Sequence, residues 1–493
     1  MSTTSLSRIR QQLEILEKKM VQEITKKQHL IHPVNRQQHQ AARNLLHYLS
    51  LRNEDIRDMQ DQLHVLGLSS LASAESHILR QVQAILQRLG KQYSPTILSP
   101  CTYRFSSKQI QKQSKTLFGK KEHPAIPYIM VTFDSSFADD YIYIKKLVQN
   151  GMNIARINCA HDTEAIWATM IHNIKRACKK TGKTCTIYMD LAGPKIRTQL
   201  LSKGSEEGKV KLKAGQRIWL AENNIGYTAD EIVVGTNESG ILGGLKKGEQ
   251  VLIDDGLIRG IVEKNNNGKV LVRLTRVSSK KDTLRDGKGI NFPDSNLSIS
   301  SLTEFDHSCI PFICKHANLI GYSFVRTPSD LAGLQKILRT YSSKPPFIIL
   351  KVETPEAVKN LPALLIQGMH QKAFGVMIAR GDLAVEIGFE RMSEIQEEIL
   401  WICEAAHAPV IWATQVLENL NKSGMATRAE ITDAAHAALA ECVMVNKGNH
   451  TLEVIKTLKD ILHRIGGHHI KKRFTFRPLG IAQRFIDTNF PGS

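Results

Sequence analysis

The sequence has no apolar run approaching the roughly 20 residues of a membrane-spanning helix, and nothing at its start resembles a secretory signal. A soluble cytoplasmic protein with no membrane partner is the expectation. The eight cysteines form no CxxC pair and no zinc-type spacing, so reduced thiols rather than a metal cluster or a disulfide framework are expected. There is no GxxxxGK[ST] loop, which excludes a Walker-type nucleotide cradle. Aromatics are only 6% of the chain, and no zinc finger, aromatic RNP pattern or basic helix stands out. Acidic residues are in deficit, giving a formal net charge of +19. The excess is scattered in pairs such as Lys179-Lys180, Lys246-Lys247 and Lys280-Lys281, with only Lys471-Lys472-Arg473 dense. Nucleic acid is therefore not the expected partner. A positive field drawing in phosphorylated small molecules accounts for the charge.

What the chain does have is eight short apolar runs that each end in polar or charged residues. They are Ile126–Phe133, Met152–His161, Thr186–Gly193, Leu319–Arg326, Pro346–Glu353, Phe374–Asp382, Pro409–Gln415 and Glu441–Gly448. They are too short for free-standing helices and lack the alternation of a half-wet strand. They fit parallel strands covered on both faces. Helical spacing fills most of the gaps, as in Glu164–Lys179 and Ile395–Ala406. Eight strands alternating with helices predict an α/β fold, a TIM (β/α)8 barrel, whose chemistry gathers at the C-terminal strand ends. The groups expected there are Arg156, Asp190, Arg326, Lys351 with Glu353, Asp382, Thr414, and Asn446 with Lys447.

At 493 residues, with 42% apolar and 23% charged residues, the chain can bury a large core and holds more than one unit. Residues 1–124 read as a helical N-terminal domain and linker. Leu6, Ile9, Leu13, Leu16, Met20 and Ile24 follow helical spacing, and this stripe stops after three heptads, so packing within the chain is expected over a coiled-coil dimer. Residues 95–124, rich in Ser and Lys, read as the linker. The barrel takes 125–200 and 288–470. Between them, 201–287 is rich in Gly, Lys and Asn with short alternating stretches and an Asn267-Gly268 turn, which predicts a small inserted antiparallel β-barrel lid. Residues 471–493 read as a basic C-terminal tail.

The stretches NGMNIARINCAH, MDLAGPKIRT, VLIDDGLI, GKGINFP, LKVETPEAV, VMIARGDLAVEI, IWATQVLENL and TRAEITDAA stand in that order. Together they resemble the pyruvate kinase family, over roughly residues 126–460. The resemblance implies Mg²⁺-dependent phosphoryl transfer (Mn²⁺ serving as a substitute) between phosphoenolpyruvate and ADP, giving pyruvate and ATP, in a homo-oligomer. It implies Arg156 as phosphate-binding arginine, Lys351 against the transferring phosphoryl group, and Thr414 near the methylene carbon that gains a proton. Lys351 ends an apolar strand, and Glu353 shares its strand face because side chains repeat every two residues. Glu353 and Asp382 are the expected metal ligands, two hard carboxylates of the kind Mg²⁺ prefers. Ala379, Arg380 and Gly381 precede a helical pattern from Leu383 onward, and the backbone N–H groups at that helix start suit the substrate carboxylate. Asp255 and Lys288 are candidate lid and nucleotide contacts.

The chain departs from the family pattern in four places. Lys195 stands where potassium-dependent members carry a glutamate, and Ala160 replaces a potassium-coordinating serine. Asn158 and Asp190 remain of the monovalent-cation region, so a tethered ammonium is expected to replace K⁺. The strand-eight loop is short, the regulatory C-terminal domain of longer relatives is not expected, and the 1–124 unit is additional. Two alternatives stay open at this level: a metal-dependent pyruvate-enolate lyase or aldolase on the same barrel, and a catalytically weak metabolite sensor.

Overall fold

The structure is a computed structural model and describes residues 3–466, apart from 125, 280, 296 and 298, together with 469–470 and 473–474. The tail expected over 471–493 lies, but for 473–474, outside the described residues. Eight strands form a closed barrel: β1 (Tyr128–Phe133), β2 (Ile154–Asn158), β3 (Thr186–Asp190), β4 (Leu319–Tyr322), β5 (Phe347–Val352), β6 (Gly375–Ala379), β7 (Val410–Ala413) and β8 (Cys442–Val445). Each of the eight apolar runs contains one of them. They are parallel where their register is defined: Tyr128 pairs with Cys442, Ile411 with Cys442, Leu319 with both Tyr188 and Phe347, and Ile349 with Gly375. All residues of β1, β4, β6, β7 and β8 are buried. That is why these runs carry no polar alternation: both faces are covered.

By its contacts the chain falls into two compact units. The first takes Met1–Arg156, Ala165–Ile187 and the chain from Leu400 onward; the second takes Ile157–Glu164 and Tyr188–Ile399.

In the first unit, helices α1 (Thr3–Lys26), α2 (His39–Arg52), α3 (Arg57–Val65), α4 (Ile78–Arg88) and α5 (Tyr103–Phe118) make up the N-terminal region. The α1 stripe packs within the chain except for exposed Leu6: Ile9, Leu13 and Met20 are fully buried and Leu16 nearly so. The stretch expected as a linker carries α5, capped by the Thr102 hydroxyl accepting from the Phe105 N–H. Its hidden face is half polar (Ser106, Gln113, Ser114 beside Ile110, Leu117, Phe118), so apolar periodicity alone does not reveal it. The helices dock on the segment just before β7. Buried Asn44 donates to the carbonyls of Glu75 and Ala405, both at 2.8 Å, and accepts from the Ile78 N–H at 3.1 Å. His407 Nε2 lies 2.8 Å from the Ser76 carbonyl, and the Arg52 guanidinium stacks over Trp401 at 4.8 Å.

In the second unit, the segment between β3 and the helix α6 (Glu304–His316) forms the inserted β-region. Seven strands pair in the order Ile290–Asn291, Gln250–Ile253, Ile258–Asn266, Lys269–Val277, Arg217–Leu220, Val233–Thr236 and Thr198–Leu200. All these pairs are antiparallel except Arg217–Leu220 with Val233–Thr236. A two-stranded ribbon, Lys209–Lys211 with Thr283–Arg285, completes it. An apolar core that includes Ile218, Leu220, Val234, Val262, Val270 and Leu274 holds the region together. Its strands begin at Thr198 and end at Asn291, slightly outside the expected 201–287. Among the described residues, no helix is long and apolar enough to cross a membrane.

Candidate active site

At the C-terminal ends of β3 to β6, in the second unit, three carboxylates meet two lysines. Lys351 is the penultimate residue of β5 and almost fully buried. Its ammonium donates to Ser323 Oγ at 2.7 Å and lies 3.0 Å from Glu353 Oε1 and 3.6 Å from Asp190 Oδ2. The Ser323 hydroxyl in turn donates a hydrogen bond to the Leu191 carbonyl, 2.7 Å away. An ammonium has three N–H donors, and the three groups around it fix its direction.

Glu353 is buried, and its second oxygen accepts from the Phe324 N–H at 2.7 Å. Burial raises its pKa above the ordinary range, Lys351 pulls it back down, and the nearby charge of Asp382 pushes it up again. Glu353 thus sits where added positive charge would favour its ionised form. Asp382 sits in the first turn of α7 (Arg380–Ile387), and its Oδ1 is 2.6 Å from Lys195 Nζ. Burial works against the Lys195 charge, but Asp382, with help from Asp255 and Glu353, outweighs it and raises the lysine's pKa. Lys195 thus meets the acid of the ARGD motif, and Asp255 bears on it electrostatically from the inserted region.

Helix α7 starts at Arg380, and its N-cap residue, Ala379, has no polar side chain with which to cap the first turn. Asp190 is fully buried; its Oδ1 accepts from the Tyr188 hydroxyl. Asn158 turns its side-chain oxygen back onto the Ala160 N–H, 3.1 Å away. Lys288 pairs with Asp254 at 3.0 Å, next to exposed Asp255. Arg326, four residues past the end of β4, donates to the Ile299 carbonyl at 2.7 Å.

Arg156 and Thr414 belong to the first unit. Arg156 reaches from β2 to the Thr132 hydroxyl on β1, at 3.1 Å. Thr414 follows β7 and donates to the Asn446 side chain at the end of β8, at 3.0 Å.

Sequence reasoning missed Ser323, Tyr188 and Asp306. Asp306 accepts from the N–H groups of Ala192 and Gly193, at 2.8 and 3.3 Å, and so shapes the loop that presents Lys195. A signal for it existed: Thr303 and Asp306 form a capping box. Ser323 was visible only as a hydroxyl within an apolar run. Tyr188 could not be found without the strand register.

The Glu353–Asp382 pair suits a divalent ion in its donor set. Both are hard oxygen donors, and Asp382 makes Glu353 harder to ionise. No group of three or more His, Cys, Asp or Glu forms a ready-made cage among the described residues.

A (β/α)8 barrel with a lysine–carboxylate cluster at its strand ends defines the class. The model of the pyruvate kinase barrel domain matches residues 128–452, and the chain belongs to the pyruvate kinase family. It is similar to the pyruvate kinase of Bacillus licheniformis, 33% identical over 328 residues, covering 65% of this chain and 54% of that protein. With the Staphylococcus saprophyticus enzyme it shares 32% identity over 327 residues, 64% of this chain and 53% of the relative. With the Thermotoga maritima enzyme it shares 34% over 330 residues, 66% and 67% respectively. The chain thus spans about half the length of the Bacillus and Staphylococcus relatives.

Proposed function

We propose that the protein transfers a phosphoryl group between phosphoenolpyruvate and ADP, forming pyruvate and ATP, as a cytoplasmic homo-oligomer. The observation that carries this reading is the charge balance around Lys351. Asp190, Glu353 and Asp382 outnumber Lys351 and Lys195. Such a site gains from a divalent cation before it accepts a phosphate. Glu353 and Asp382 would hold Mg²⁺ or Mn²⁺, which supplies the Lewis-acid charge over phosphoryl and enolate oxygens.

The chain's own groups do the rest. Lys351, held in direction by Ser323, stabilises charge on the transferring phosphoryl group. The N–H groups at the start of α7 bind the substrate carboxylate. Arg156 binds phosphate, and the Thr414 hydroxyl serves the carbon that gains a proton. Asp255 and Lys288, in and beside the inserted region, serve the nucleotide side. Lys195 supplies the fixed positive charge that a monovalent cation would otherwise bring, so K⁺ is not required.

A lactate dehydrogenase-coupled assay with phosphoenolpyruvate and ADP tests this. Transfer is expected with Mg²⁺ or Mn²⁺ and not in EDTA. Rates should be equal in sodium, potassium and tetramethylammonium buffers at matched ionic strength, a match needed because screening alone alters attraction of anionic substrates. Absence of transfer with either metal would overturn the activity. A requirement for potassium would overturn the role of Lys195.

A further inference from the structure

We infer that Tyr188 is a positioning residue: its buried hydroxyl sets the orientation of Asp190, and through Asp190 the place of Lys351, in the reaction proposed above. Tyr188 and Asp190 are two apart on β3 and therefore share a face. Both are fully buried. The Tyr188 hydroxyl donates to Asp190 Oδ1, and the other carboxylate oxygen is the one 3.6 Å from Lys351 Nζ. One oxygen is thus committed to the phenol, and the other to the lysine.

The neighbouring strand is built to admit this pair. On β4, Leu319 is in register with Tyr188, and Gly321 with Asp190. A Cβ on Gly321 would fall within 3 Å of Asp190 Oδ1, Tyr188 Oη and Tyr188 Cζ. Gly321 is not among the positive-φ glycines. Its missing side chain serves space rather than backbone freedom. A ring that only filled volume would need no hydroxyl aimed at a carboxylate. Without that hydroxyl the carboxylate can turn, approach the ammonium with both oxygens, and draw Lys351 away from Ser323.

Two experiments test the inference, one independent of catalysis. In protein labelled with ¹³Cζ-tyrosine, the resonance absent from Tyr188→Phe identifies Tyr188 among the ten tyrosines. That resonance is expected to shift in Asp190→Asn, and an unmoved resonance overturns the pair. In the coupled assay, Tyr188→Phe keeps the ring and is expected to lower kcat about tenfold, as loss of a group that orients a functional residue does. The KM for phosphoenolpyruvate should stay within twofold. In an Asp190→Asn background the same change should have no further effect, because both act through one contact. Turnover within twofold of wild type, or losses that multiply in the double variant, overturns the positioning role. A wild-type protein inert toward phosphoenolpyruvate and ADP sinks the proposed activity, and the resonance still decides whether Tyr188 holds Asp190.

Discussion

Two buried polar networks in this protein are built on opposite principles. Around Asn44, neutral amide, carbonyl and N–H groups meet one another, and no charge enters that set of contacts. Around Lys351, charges crowd at 3.0 to 3.6 Å, carboxylates outnumber ammonium groups among these contacts, and Glu353 is harder to ionise for having Asp382 near it. A network balanced within itself gives stability and asks nothing of a ligand. A network left short of positive charge costs the folded state something and is completed by what it binds. Both are buried, so burial alone does not separate structure from function; the balance of charge does.

Changes in the second network should therefore appear in turnover, and changes in the first in stability. The largest effect is expected for Lys351→Met: kcat lower by about 10²–10³, as for losing one preorganised charge-stabilising group, with a far smaller change in phosphoenolpyruvate binding. Near-normal turnover would remove Lys351 from the mechanism. Glu353→Gln preserves shape and removes charge, and should raise the Mg²⁺ concentration needed for half-maximal rate by about 10–100-fold. Overlaid metal titrations of variant and wild type would make the carboxylate structural. Asn44→Ala tests the other side. It should cost about 2 kcal/mol in urea unfolding by leaving buried groups unpaired, while kcat stays within twofold. A variant that is fully stable but slow would erase the contrast.

The smallest effect concerns pH. His47, buried on α2, has its pKa pushed down to about 4 from 6.5, first by burial and then by the charge of Arg43. Below pH 6.5 the unfolded chain takes up a proton that the folded chain refuses. The stability tied to His47 is therefore complete above pH 6.5 and is lost as pH falls toward 4. Between pH 7.5 and 5.5 it should fall by about 1 kcal/mol, and His47→Leu should flatten that part of the pH profile. An equal fall in the variant would show that other groups carry it.

The eight barrel strands were legible because a strand covered on both faces must be apolar along its whole length, and each such run ended where chemistry was expected. The positions of Lys351, Glu353 and Asp382 were legible for the same reason: each lies at or just past the end of an apolar run. The helix α5 was not, since Ser106, Gln113 and Ser114 occupy its hidden face and erase the apolar period. The strand order of the inserted region, with its one parallel pair, was not legible either, because pairing is a non-local choice that short alternating segments leave open. Tyr188 and Gly321 lie about 130 residues apart in sequence, and only the register between β3 and β4 makes one a condition of the other.

The place where the helical region docks has a consequence for how such a chain can be altered. Ala405 and His407 precede β7, while Thr414 follows it, so the attachment and the Thr414 hydroxyl lie at opposite ends of one four-residue strand. Four residues of strand span only about 13 Å, yet that distance is filled by side chains buried to within 1%. Material added at the entering end of a barrel strand is thus insulated from the leaving end by packed core. A graft in place of the helical region would have to offer partners again to the Ala405 carbonyl, to His407 and to Trp401.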